Sequence, residues 1–74
     1  MKISIELFGQ LSPSSPRRQT LDLANHAKVQ EAAALLGLNS EEIGLITING
    51  VQSEILDPLP PDCRLCFFPY LSGG

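Results

Sequence analysis

The sequence is poor in the groups from which metal sites, redox centres and nucleic-acid surfaces are built. It holds one histidine, His26, and two cysteines, Cys63 and Cys66. A structural zinc site takes four such ligands, so this set is one short. A plant-type ferredoxin centre needs four cysteines and is excluded by two. No metal ligands are expected. The Cys-x-x-Cys spacing does not read as a redox dithiol either. Such thiols sit at a helix N-terminus, whereas here the spacing falls inside a predicted strand, where residues i and i+3 point to opposite faces. One packed cysteine and one on the other face is the expectation.

Positive charge is scarce as well. Five Lys and Arg stand against eight Asp and Glu, for a net charge of −3. The only adjacent basic pair, Arg17-Arg18, is too little for a phosphate-binding stripe and reads as a solvated strand edge. Nucleic acid is not an expected partner, and a mildly acidic surface suits steering toward a basic protein face. No apolar run approaches the roughly 18–20 residues that span a bilayer. Residues 1–8 alternate in polarity and lack a signal-peptide core. No membrane partner and a cytoplasmic location are therefore expected.

What remains is enough for one small domain. At 74 residues, with 43% apolar and 18% charged, the chain has an ordinary globular composition, and most of its apolar residues must be used in folding. Residues 1–8 read as a strand with Ile3, Ile5 and Leu7 on one face. The Ser-Pro-Ser-Ser-Pro run within residues 9–16 marks a loop. Residues 17–23 resume the alternation, with Leu21 and Leu23 inward, completing a hairpin.

Residues 27–36 are the one convincing helix. Val29, Ala32, Ala33 and Leu36 recur at helical spacing, and Gly37 stands where a left-handed cap belongs, followed by Leu38. Residues 39–42 read as a polar connector, with Glu41-Glu42 solvated. Residues 45–48 and 51–53 flank Asn49-Gly50, the preferred chemistry of a two-residue hairpin turn. Three prolines within residues 55–61 make that stretch a crossover loop. Residues 64–68 form a last strand, with Leu65 and Phe67 inward and Arg64, Cys66 and Phe68 outward, stopped by Pro69. The sum is an α+β domain, a mixed sheet of four to five strands with one main helix packed across it.

Residues 1–69 are thus read as the domain and residues 70–74, Tyr70-Leu71-Ser72-Gly73-Gly74, as a flexible tail. At a background of about 7% glycine, a terminal Gly-Gly arises by chance in roughly 0.5% of chains, so it asks for an account. A carboxylate that enters another protein's ATP site needs a thin, permissive lead without a Cβ. Adenylation would make it a mixed anhydride, open to displacement of AMP by a sulfur nucleophile.

Phe8-Gly9-Gln10-Leu11, residues 29–38, Ile48-Asn49-Gly50 and Phe67-Phe68-Pro69-Tyr70-Leu71-Ser72-Gly73-Gly74 resemble the MoaD/ThiS family of ubiquitin-like sulfur carriers. The likeness covers nearly the whole chain apart from residues 12–16, and its specific part is the tail. Phe-Phe-Pro ahead of the glycines is closer to the small subunit of molybdopterin synthase than to the thiamine carrier. The resemblance implies the β-grasp fold and an E1-like enzyme that adenylates Gly74 with ATP, the chain binding no cofactor itself. It further implies a sulfur-relay step leaving a thiocarboxylate, and a catalytic large subunit that takes the sulfur into a molybdenum or tungsten pterin cofactor. The carrier is then a co-substrate and not an enzyme. Gly73 leads Gly74 into the activating site, and Phe8, Phe68, Pro69, Tyr70, Leu71 and Ser72 are the candidate partner-binding residues.

The chain departs from the family at Pro60-Pro61-Asp62-Cys63, where a Gly-Asp turn is common, and in its short proline-rich first loop. Three alternatives stand beside molybdopterin synthesis. They are a carrier for thiamine thiazole or another sulfur product, a modifier conjugated to lysines, and a non-covalent β-grasp interaction module.

Overall fold

In the computed structural model, which describes residues 1–70, the alternation of the first segment becomes β1 (Lys2–Leu7). It pairs antiparallel with β2 (Arg18–Asp22), setting Ile3 opposite Leu21 and Ile5 opposite Gln19. Ile3, Ile5 and Leu7 are buried and the residues between them face away. A period of two requires this once one sheet face is covered.

The cover is α1 (Val29–Leu35). Val29, Ala32, Ala33 and Leu36 are all buried, so the face read from helical spacing is the face that packs. Gly37, at φ +70°, closes the helix. The Leu38 N–H donates to the Ala33 carbonyl (2.9 Å) and the Gly37 N–H to that of Ala34 (3.1 Å), and Leu38 turns into the core. This is the six-to-one, five-to-two pairing of a Schellman cap.

The helix begins two residues later than the sequence reading placed it, because the backbone before it is engaged elsewhere. His26 is left-handed (φ +70°) and Lys28 is extended (φ −101°, ψ 165°). Ala27 accepts a bond from the Leu59 N–H (2.9 Å), and Lys28 forms a bridge with Pro58. The first free helical donors, the Val29 and Gln30 N–H groups, reach the carbonyls of Asp57 (3.0 Å) and Ile55 (2.8 Å). Donors with no partner inside the helix thus fasten the proline-rich crossover loop to its end.

Within the expected polar connector, residues 40–42 fold into a 3-10 turn (Ser40–Glu42). β3 (Ile43–Ile48) and β4 (Val51–Ser53) then meet across Asn49-Gly50, whose φ values of +52° and +82° are those of the expected turn. The last strand, β5 (Arg64–Pro69), runs one residue beyond the expected stop at Phe68. It lies between β1, to which it is parallel, and β3, to which it is antiparallel.

The strand order is β2-β1-β5-β3-β4, a five-stranded mixed sheet with the helix on one face. Leu65 and Phe67, in the middle strand, are wholly inaccessible. No helix among the described residues is long and apolar enough to cross a membrane.

Two expectations are corrected. Cys66, placed on the outward face by alternation, does lie there but is buried. Its neighbours across the sheet are Glu6 and Thr47, and a small side chain on a central strand is covered from both sides. Arg17 is a loop anchor and not a solvated edge residue, whereas Arg18 is exposed, with Glu6 at 3.6 Å.

Candidate functional site

The site of interest is where β5 ends and the chain leaves the sheet. Phe8, just after β1, and Phe68, near the end of β5, both project from the face opposite the helix. Parallel pairing of the two strands brings them side by side. Their rings stack with centroids 4.3 Å apart at an interplanar angle of 10°, and both remain half-buried. Alternation places Phe68 on the outward face. It packs on Phe8.

Leu45 of β3 stands opposite Phe68 and is 38% exposed. Tyr70, 64% exposed, follows Pro69. Together they make an apolar patch on the otherwise polar outer face, at the root of the C-terminal segment. Leu45 was missed as a site residue because nothing in its own segment shows which strand will lie beside it.

Two glycines shape the root. Gly9 is left-handed (φ +62°), and a Cβ there would lie 2.6 Å from Cγ of Pro69. Gly44 sits at an irregularity in the β3–β5 ladder, between Ile43 and Leu45. A Cβ there would come within 2.8 Å of the Pro69 carbonyl oxygen and 2.9 Å of the Tyr70 backbone. Real Cβ contacts are not made at such distances, and the obstacles at Gly44 are main-chain atoms that cannot swing aside. The Tyr70 N–H donates to the Glu42 carbonyl (3.3 Å), which ties the root to the 3-10 turn. In the sequence Gly9 stands out only within Phe8-Gly9-Gln10-Leu11, and Gly44 carries no signal of its own.

Tyr70 stands between two open clefts. One, of about 240 Å³, is lined by Ile43, Gly44, Leu45, Ser53 and Glu54. The other, of about 450 Å³, is lined by Gln10, Pro13, Glu41, Glu42 and Pro69. A groove of about 430 Å³ crosses the outer face between Glu6, Arg18, Thr20 and Arg64. Among the described residues no three His, Cys, Asp or Glu side chains come together as a metal site would require. Cys63 is buried in the core, and burial, with a smaller push from the nearby Asp62 carboxylate, raises its thiol above the usual range. A thiol so shielded is a packing residue and not a nucleophile.

Comparison with known proteins adds to this geometry. No family model matches the chain, and no curated protein matches it in sequence. By structure it is similar to SAMP1 of Haloferax volcanii, at 25% identity and a TM-score of 0.78, covering 100% of both chains. It is also similar to a Pyrococcus furiosus protein provisionally named molybdopterin converting factor subunit 1, at 16% identity and a TM-score of 0.74, covering 95% of this chain and 98% of that one. The fold is that of the MoaD/ThiS sulfur carriers. A chain from the complex of subunits 1 and 2 of the Helicobacter pylori molybdopterin-converting factor matches too, at 20% identity and a TM-score of 0.65 over 100% of both chains.

Within this ubiquitin-like β-grasp, the structure brings Phe8, Phe68, Pro69 and Tyr70 to one corner of the sheet. The other expected site residues, Leu71, Ser72, Gly73 and Gly74, lie outside the described residues.

Proposed function

We propose that the chain is a sulfur carrier whose working group is the carboxylate of Gly74. An E1-like enzyme would activate it for molybdopterin-type cofactor synthesis, with molybdenum or tungsten as the eventual metal. The observation that carries the reading is the built corner at the root of the C-terminal segment. There Phe8 and Phe68 stack, Leu45 and Tyr70 stand exposed, and two glycines admit Pro69 and Tyr70. A docking patch beside a segment whose last residues are Gly73-Gly74 is what delivery of a terminal carboxylate asks for.

In the first step a Gly74 carboxylate oxygen attacks the α-phosphorus of ATP and expels pyrophosphate, giving an acyl-adenylate. A sulfur nucleophile from a relay protein then attacks the carbonyl carbon and AMP departs. Where that nucleophile is a persulfide, a thiol reductant must cleave the S–S bond to leave the thiocarboxylate. The catalytic large subunit takes the sulfur, water restores the carboxylate, and the carrier returns to the cytoplasmic pool. A large-subunit partner is supported by the H. pylori neighbour, which was solved as a complex of subunits 1 and 2. The carrier's own contribution is binding and presentation, so it is a co-substrate and not an enzyme.

A second reading has its own support. A small archaeal modifier protein 1 from H. volcanii shares the fold at a TM-score of 0.73. The same activated Gly74 would then be joined to lysines of other proteins.

Intact-protein mass spectrometry after incubation with an E1-like enzyme, ATP and a sulfur donor tests the carrier reading. The expected result is a gain equal to one oxygen replaced by one sulfur, abolished by deletion of Gly74. An unchanged mass, with an E1 that is active on another carrier, overturns it. Isopeptide adducts that depend on Gly74 favour the modifier.

A further inference from the structure

The loop between β1 and β2 is anchored by Leu11 in the core and by the Ser12 hydroxyl on the Leu36 carbonyl (3.3 Å), and one side chain gathers its carbonyls. The Arg17 guanidinium donates to the carbonyls of Gly9 (2.8 Å), Ser12 (2.6 Å), Ser15 (3.4 Å) and Leu11. The loop adds a bond of its own between the hydroxyls of Ser12 and Ser15 (2.8 Å). A guanidinium suits this task, since it carries five donors in a rigid plane and keeps its charge at any physiological pH. Lysine would bring a single point of charge on a flexible stem and would satisfy fewer of these acceptors at once.

The first of those carbonyls belongs to Gly9, whose bare Cα faces the Pro69 ring closely enough that a Cβ would be 2.6 Å from Cγ and 3.2 Å from Cδ. From the other side Gly44 meets the Pro69 carbonyl and the Tyr70 backbone. The last described residues therefore pass between two glycine surfaces. Strand pairing fixes the Gly44 side. On the Gly9 side, Gly9 lies beyond the end of β1, and Arg17 reaches it from the start of the returning strand.

We propose that Arg17 is a positioning residue for the C-terminal segment. By tying the loop's carbonyls together it holds Gly9 against Pro69, and so sets the direction in which Tyr70 leaves the sheet. The role touches no reacting atom. Its consequence for chemistry rests on the carrier reading above, because direction matters only if Gly74 is delivered to a partner.

The test uses the full chain as wild type, Arg17→Lys, Arg17→Gln, Pro69→Ala and the Arg17→Gln/Pro69→Ala double variant, each shown to be folded. Amide hydrogen exchange by NMR is read at Tyr70, whose N–H is bonded to Glu42, and at Ser4, bonded to Cys63 at the far end of the sheet. Arg17→Gln should speed exchange at Tyr70 by about tenfold or more and leave Ser4 unchanged, a local opening and not a global one. Arg17→Lys should fall between. The double variant should add nothing to Pro69→Ala, since both act through the same contact. An unchanged Tyr70 amide, a parallel rise at Ser4, or additive effects in the double variant would each reduce Arg17 to a brace for its own loop and overturn the proposal.

A second readout is pyrophosphate exchange with an E1 that activates wild type. Arg17→Gln should lower kcat several-fold with KM for the carrier unchanged, because the docking patch is intact while presentation is not. A rise in KM alone contradicts the proposal. If wild type is not activated by any E1, the carrier reading fails, and the exchange data still decide what Arg17 does.

Discussion

Cys63 and Cys66 show how little a residue's type says about its chemistry. The spacing invites a redox or metal reading, yet Cys63 is packed in the core and Cys66 is covered on the other face. Burial makes the Cys63 thiolate expensive relative to the thiol, so its folded pKa lies above its unfolded one. Protons bind the folded state more tightly, so this contribution to stability is complete below the unfolded value of about 8.5 and is lost as pH rises through the folded value. Thiolate absorbance in a Cys66→Ala variant should titrate at a higher pH in the native protein than in urea. Equal midpoints would mean the site is more open than the structure shows. His26 and Asp62 carry a different message. Both adopt left-handed backbone, at φ +70° and +57°, and Asp62 thereby makes the turn that glycine would otherwise make.

Among the elements, the cap and the bulge put glycine to different uses. Gly37 has open space where a Cβ would go, so its role is purely conformational. Gly44 has no space at all, because Pro69 at the end of β5 and Tyr70 after it pass against it. Gly44→Ala should therefore destabilise by about 1–3 kcal/mol, the range for forcing extra volume into a packed place. It should also shift the NMR signals of Tyr70. Urea denaturation measures the first effect. A loss near zero would show that the β3–β5 irregularity relaxes freely. The helix was legible in the sequence because its apolar period and glycine stop are local. Its starting point was not, because Ala27 and Lys28 are engaged by Leu59 and Pro58, far along the chain.

For the molecule as a whole, placing β1 parallel to and beside β5 is the decision that makes a site. It joins the end of the first strand to the end of the last and stacks Phe8 on Phe68. Such an aromatic pair contributes about 0.5–1.5 kcal/mol beyond its buried area. As the centre of a docking patch, Phe68 should matter more to binding than to folding. Phe68→Ala should weaken affinity for the partner that engages wild type by about 2 kcal/mol or more, as anchor residues do. Calorimetric titration gives that loss and urea denaturation gives the stability loss beside it. A variant that loses stability but binds as wild type would show the stack to be structural only.

The sequence alone was sufficient for the strands of Ile3, Ile5 and Leu7 and of Leu65 and Phe67, the buried helix face and the Asn49-Gly50 turn. Each rests on a period or a turn chemistry contained within a few adjacent residues. Only the tertiary structure decided that Cys66 is covered, that Arg17 holds a loop, that Leu45 joins the aromatic patch and that Gly9 and Gly44 admit Pro69. Those properties belong to pairs of segments, and a segment's own pattern carries no record of which strand will lie against it.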